Sequence, residues 1–133
     1  MIEVEVACEL PQIDPGPLAE RVRRVCEYEG VTRASAGLMV VGEERMTEIN
    51  REHRGLDRPT DVLAFPIDRP EAGRGEAKGP PPELGDVVIC PAAAKEPLTT
   101  LAIHGTLHLL GYDHEVDDGE MLNRQHELVE ALS

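Results

Sequence analysis

The chain has 133 residues, enough for one domain (1–133) that buries a core without disulfide staples. Aromatic residues make up 2% of it (Tyr28, Phe65 and Tyr112, with no Trp), which excludes a module that grips unpaired bases by stacking them on aromatic platforms. The formal charge of −13 opposes long-range attraction of a polyanion, so any chemistry on nucleic acid needs a local basic spot, a cation or a partner.

Ile2, Val4, Val6, Cys8 and Leu10 alternate with acidic or small residues and predict a half-buried strand. That stretch has no basic leader, and no apolar run in the chain approaches membrane-spanning length, so the chain reads as cytoplasmic. Asp14, followed by Pro15 and Pro17, opens a predicted helix to about Glu29, with Leu18, Val22, Val25 and Cys26 on one face and Gly30 stopping it. Ala36 to Val41 reads as a buried strand, and Glu43 to about Glu52 as a second helix turning Met46 and Ile49 inward.

Gly55 and Pro59 mark 53–61 as a loop, after which Val62, Leu63 and Phe65 form a short strand that Pro66 ends. Residues 68–83 hold no aliphatic side chain larger than Ala and read as a mobile surface loop. Leu84 to Cys90 is the fourth strand, and 91–96 carries no clear signal. Pro97 starts a helix over Leu98–Leu110, apolar on nearly every side and therefore central, with Gly111 ending it. Asp117 and Asp118 begin a last helix with Met121, Leu122, Leu128, Val129 and Leu132 as its apolar stripe. Four short strands interleaved with helices predict an α+β fold: a small mixed four-stranded sheet packed with helices. Cys8, Cys26 and Cys90 are odd in number and in no CxxC spacing, as expected of small apolar side chains in a reducing compartment.

Three of the five histidines fall within HGTLHLLGYDH, 104–114. His104 and His108 stand four apart on one helix face, so their imidazoles can converge on one metal ion. Gly111 breaks the helix and lets the chain swing back, bringing His114 in as a third ligand. Three imidazoles leave a fourth tetrahedral position open, as catalytic zinc sites do. The spacing is that of the metzincin peptidases, HExxHxxGxxH, but Gly105 stands where those enzymes carry their general-base Glu. The metal geometry survives and the peptidase's proton carrier does not. A phosphodiester suits such a site, and Arg51, Arg54 and Arg58 offer guanidinium forks for phosphate oxygens; solvated surface arginines are the competing reading of that cluster. Residues 51–112 carry nine acids and seven bases, the least repulsive part of the chain towards an anion.

With NREHRGLDRPTDVLAFP (50–66) and LGDVVIC (84–90), that histidine block resembles the YbeY family of bacterial endoribonucleases and rRNA maturation factors over roughly 36–132. The resemblance implies a zincin-like metal site on the central helix and a single-strand-specific, metal-dependent RNase holding one Zn²⁺. It further implies a role in 3′-end maturation of small-subunit (16S) rRNA and ribosome quality control, with single-stranded RNA and the small ribosomal subunit or its proteins as partners. By motif position the metal ligands fall on His104, His108 and His114, and the arginine of the substrate channel on Arg54. The chain departs from the family pattern at His53 (usually Tyr), at Ala64 (usually Ser), and in a shortened segment over 91–100 that bears on one wall of the substrate groove. His53 could stand near the cleft or merely be exposed, His126 is expected to be inert, and Asp113 could orient an imidazole or only support the turn after Gly111. Thr60 and Asp61 are expected to shape the turn into the third strand. A non-enzymatic ribosome-assembly factor with a structural zinc is the alternative function, and Gly105 argues against a metallopeptidase.

Overall fold

A computed structural model describes residues 1–76 and 78–133. Strand β1 (Ile2–Cys8) leads into helix α1 (Gly16–Tyr28), then strand β2 (Ala34–Val40) and helix α2 (Glu43–Arg54). Strands β3 (Val62–Pro66) and β4 (Glu83–Ile89) follow, then helix α3 (Leu98–Leu109) and helix α4 (Glu120–Leu132). The sheet runs β1-β2-β4-β3, with β1, β2 and β4 parallel and β3 antiparallel to β4 at one edge. This is the α+β architecture expected from sequence.

The two sheet faces are covered differently. Ile2, Ala36, Leu38, Val87 and Ile89 join Leu18, Val22 and Val25 of α1, Ile103 and Leu107 of α3, and Met121 and Leu128 of α4 in the main core. The opposite face carries a smaller cluster of Leu63, Val88 and Cys90 under Met46 and Ile49 of α2. Helix α3 is central, as its all-round apolarity predicted: it packs on α1, α4, β3 and β4 together. A Cβ on Gly105 would lie 2.6 Å from Val87 Cγ1 and 3.3 Å from Val62 Cγ2. A bare backbone at that turn is therefore what lets α3 lie flush on the sheet and brings its histidines level with the edge strand.

Element boundaries moved where caps decide them. Helix α2 continues through His53 to Arg54, residues expected to lie in a loop, because Gly55 takes a left-handed φ of 71° and its amide bonds the Arg51 carbonyl. Helix α4 starts at Glu120 instead of Asp117; the Asp117 carboxylate stands outside the helix and accepts the Gly119 and Met121 amides. Strand β2 begins at Ala34, two residues early, where it pairs with Ile2. Within 68–83, Pro70–Gly73 form a 3-10 turn, and the buried Gly73 offers its carbonyl to the Thr32 and Arg33 amides; residue 77 of that segment lies outside the described residues. Pro91–Ala93 form a second 3-10 turn in the stretch that carried no sequence signal.

Candidate metal centre

Helix α3 ends in a Schellman motif. The Gly111 amide donates to the His108 carbonyl and the Tyr112 amide to the Leu107 carbonyl, with Gly111 at φ 99°. The reversal turns 112–114 back across the helix end, so that one ligand nitrogen from each of His104, His108 and His114 lies within 4.8 Å of the others. The ring centroids are 4.8, 5.4 and 5.2 Å apart, a closed triangle of imidazoles. His104 and His108 are half-buried, while His114 is exposed and caps the triangle from the solvent side.

Hydrogen bonding settles the tautomers of the two helical rings. His104 Nδ1 lies 2.7 Å from Gln125 Oε1, and His108 Nδ1 lies 3.0 Å from the Tyr112 carbonyl oxygen. The oxygens at those positions accept, which places a proton on each Nδ1 and leaves Nε2 as the atom each ring would offer a metal. Burial, and then the neighbouring His104 and His114, hold His108 below the ordinary imidazole range, which keeps it neutral as a ligand must be. Three imidazole nitrogens at this spacing with an open solvent side fit a tetrahedral divalent ion such as zinc.

The triangle sits in a cleft of 690 Å³ between α3 and edge strand β3. Arg54, on the last turn of α2, lines the same cleft; Arg51 and Arg58 do not. Arg51 is instead paired with Asp57 at 2.5 Å, and the Arg58 carbonyl receives the buried Asn50 side-chain amide at 2.8 Å. Of the three arginines proposed as phosphate forks, the fold brings one to the imidazoles. His53 faces elsewhere, its exposed ring 4.7 Å from Phe65, and His126 is exposed on α4. The Asp113 carboxylate accepts the Glu115 amide at 3.0 Å, and that of Asp61 accepts the Val62 amide at 2.7 Å, so both shape turns.

Sequence reading assigned no role to Gln125, Glu96 or Glu115, all of which line the cleft. Four acidic residues (Asp61, Glu96, Asp113 and Glu115) line the cleft with one arginine, a formal balance that disfavours an anion there. The signal for Gln125 was available: it occupies the stripe position four after Met121, where periodicity calls for an apolar side chain.

Fold and site together define a class of protein: a small α+β domain with three convergent imidazoles, able to hold a metal ion, at the floor of an open cleft. The model of the family described as Endoribonuclease YbeY matches residues 12–133. Curated relatives carrying that description include a Bacillus cereus (strain B4264) protein, 42% identical over 131 aligned positions covering 86% of this chain and 84% of its own. One from Sulfurovum sp. (strain NBC37-1) is 38% identical, with 78% of this chain and 76% of its own covered. The solution structure of TM1509 from Thermotoga maritima superposes with a TM-score of 0.62 at 28% identity, covering 99% of this chain and 89% of that one. The chain belongs to the YbeY endoribonuclease family, enzymes that hydrolyse RNA phosphodiester bonds.

Proposed function

We propose that the chain is a zinc-dependent endoribonuclease acting on single-stranded RNA, with His104, His108 and His114 as the ligands of one zinc ion and Arg54 as the residue that holds phosphate. The observation that carries this reading is the meeting of the imidazole triangle and a single arginine in one open cleft. Zinc, when bound there, supplies a Lewis acid beside the scissile phosphate and acidifies water at neutral pH. The chain's own residues do the rest. His104 and His108 present their Nε2 atoms from α3, and the exposed His114 completes the set without closing the solvent side. Arg54 reaches over the cleft from α2, where its planar fork can bind two non-bridging phosphate oxygens as charge builds on them. The outer edge of β3 borders the cleft with main-chain groups left unpaired by the sheet, a neutral surface on which a single strand can lie.

The carboxylates around the cleft make the metal a condition of RNA binding as well as of cleavage. A dication offsets much of the repulsion that a lone guanidinium cannot. The substrate proposed within the cell is precursor small-subunit rRNA near its 3′ end, in a cytoplasmic role in ribosome maturation and quality control; family membership supports it. The deciding experiment measures zinc content, RNA binding and cleavage of a single-stranded rRNA fragment before and after chelation, alongside a thermal melt. The expected result is about one zinc per chain, and loss of binding and cleavage on chelation with the fold retained. Unfolding on chelation, with no cleavage by the zinc-loaded protein, would instead make the zinc structural and the protein a non-enzymatic assembly factor.

A further inference from the structure

Gln125 is 5% exposed and lies on α4, a helix that carries none of the three histidines. It stands among the few buried polar side chains of the described residues, between Met121 and Leu128, which both enter the main core. An amide at such a position costs more than a leucine unless its hydrogen bonds are made. The bond it makes is the one to His104 Nδ1 at 2.7 Å. The neighbouring Arg124 runs to the other half of the site. Its guanidinium pairs with Glu29 at 2.7 Å, the same carboxylate accepts the Tyr112 hydroxyl at 2.6 Å, and the Tyr112 carbonyl accepts from His108 Nδ1. The Glu29 side chain is 9% exposed, so this three-residue bridge between α1, the α3–α4 turn and α4 is largely shielded from water.

Resting on the metal reading above, we infer that Gln125 is a positioning residue for the metal centre: α4 sets the ring orientation and tautomer of His104 through Gln125, while Arg124, Glu29 and Tyr112 anchor the backbone that does the same for His108. Helix α3 contributes the imidazoles, but the acceptors for both Nδ1 protons come from beyond it. Because His108 is held by a main-chain carbonyl and His104 by a side chain, His104 is the ligand whose orientation one substitution can release.

The test is a zinc titration against a competing chelator, paired with thermal melts of the metal-free proteins, on wild type, Gln125→Leu, Gln125→Met and Gln125→Glu. The two apolar variants should bind zinc roughly ten- to hundredfold more weakly while their metal-free forms melt at or above the wild-type temperature. Gln125→Glu keeps an acceptor and should restore wild-type affinity or exceed it, since a carboxylate raises the basicity of the imidazole it accepts from. A purely structural amide would give the reverse pattern, lower melting temperatures with zinc affinity unchanged. If Gln125→Leu fails to fold, Gln125→Met, closer in shape, carries the measurement. Zinc binding by both apolar variants within about twofold of wild type overturns the positioning role and leaves the metal site standing. Wild type that binds no zinc overturns both.

Discussion

The α3 wall of the cleft and the α2 wall present their functional side chains in opposite ways. On α3, His104 and His108 are half-buried, their Nδ1 atoms are spoken for by Gln125 and Tyr112, and the helix is pressed onto β3 and β4 through Gly105. On α2, Arg54 is exposed on the last turn before a left-handed glycine, and no ion pair to it is found among the described residues. One wall is pre-organised by packing, as a site that must hold a fixed ion requires. The other offers a long side chain that, in the function proposed above, a bound phosphate would order. Damage to the first should therefore propagate to metal and fold, and damage to the second should stay confined to substrate.

The largest effect expected is from His108→Ala, which removes the proposed ligand whose ring lies nearest the other two, at 4.8 and 5.2 Å. Zinc content should fall from about one per chain to near zero and RNA cleavage should be lost with it, as elemental analysis and a cleavage assay on the same preparation would show. Cleavage by a zinc-free His108→Ala protein would mean that the α3 wall is not the catalytic one.

Arg54→Ala should lower cleavage of single-stranded RNA by roughly 10²- to 10³-fold, the scale for a lost donor to transition-state charge. Its zinc content should match wild type and its stability should stay within about 0.5 kcal/mol, as for an exposed residue free of structural partners. Arg51→Ala is the internal control, since that guanidinium is engaged with Asp57 and lies off the cleft. Equal cleavage by Arg54→Ala and wild type would erase the distinction between the walls.

Gly105→Ala tests the packing half of the comparison. With 2.6 Å to Val87 Cγ1, the added methyl must displace Val87 or shift α3 against the sheet, at a cost of about 1–3 kcal/mol in urea denaturation. Gly105→Glu should cost more stability still, because its Cβ meets Val87 and Val62 where α3 lies on the sheet. The glycine that stands where the metzincins carry Glu thus reflects close packing as much as a missing base.

A smaller, graded effect should follow pH. His108 titrates below its ordinary value near 6.5, so as pH falls through that value the unfolded chain takes up a proton that the folded chain refuses. The unfolded state then binds more protons, and the His108 contribution to metal-free stability is present above about 6.5 and lost as pH drops below it. Zinc should also be released over that range, because protons compete for the same nitrogens. Urea midpoints and zinc retention at a series of pH values would check both. Smallest of all, Tyr112→Phe should cost about 1 kcal/mol by removing one hydroxyl bond to Glu29, since the Tyr112 carbonyl that serves His108 remains.

Much of this was legible in the sequence because it is encoded over short range. The i, i+4 pair His104 and His108, the helix-ending Gly111, the missing base at Gly105 and the alternating strands are all set within one or two turns of chain, where backbone geometry leaves few options. The choice of Arg54 over Arg51 and Arg58 came from the family motif and not from periodicity; the order of the strands and the extension of α2 to carry that arginine depended on contacts that the periodicity does not contain. So did the carboxylates ringing the cleft, and above all Gln125, 21 residues from His104 along the chain and 2.7 Å from its ring. Local spacing can say which side chains are able to converge on a metal. Which residues receive their outward-facing protons, and which cation shares their cleft, is decided only when separate helices are packed against one sheet, because a hydrogen bond depends on distance in space and not on distance along the chain.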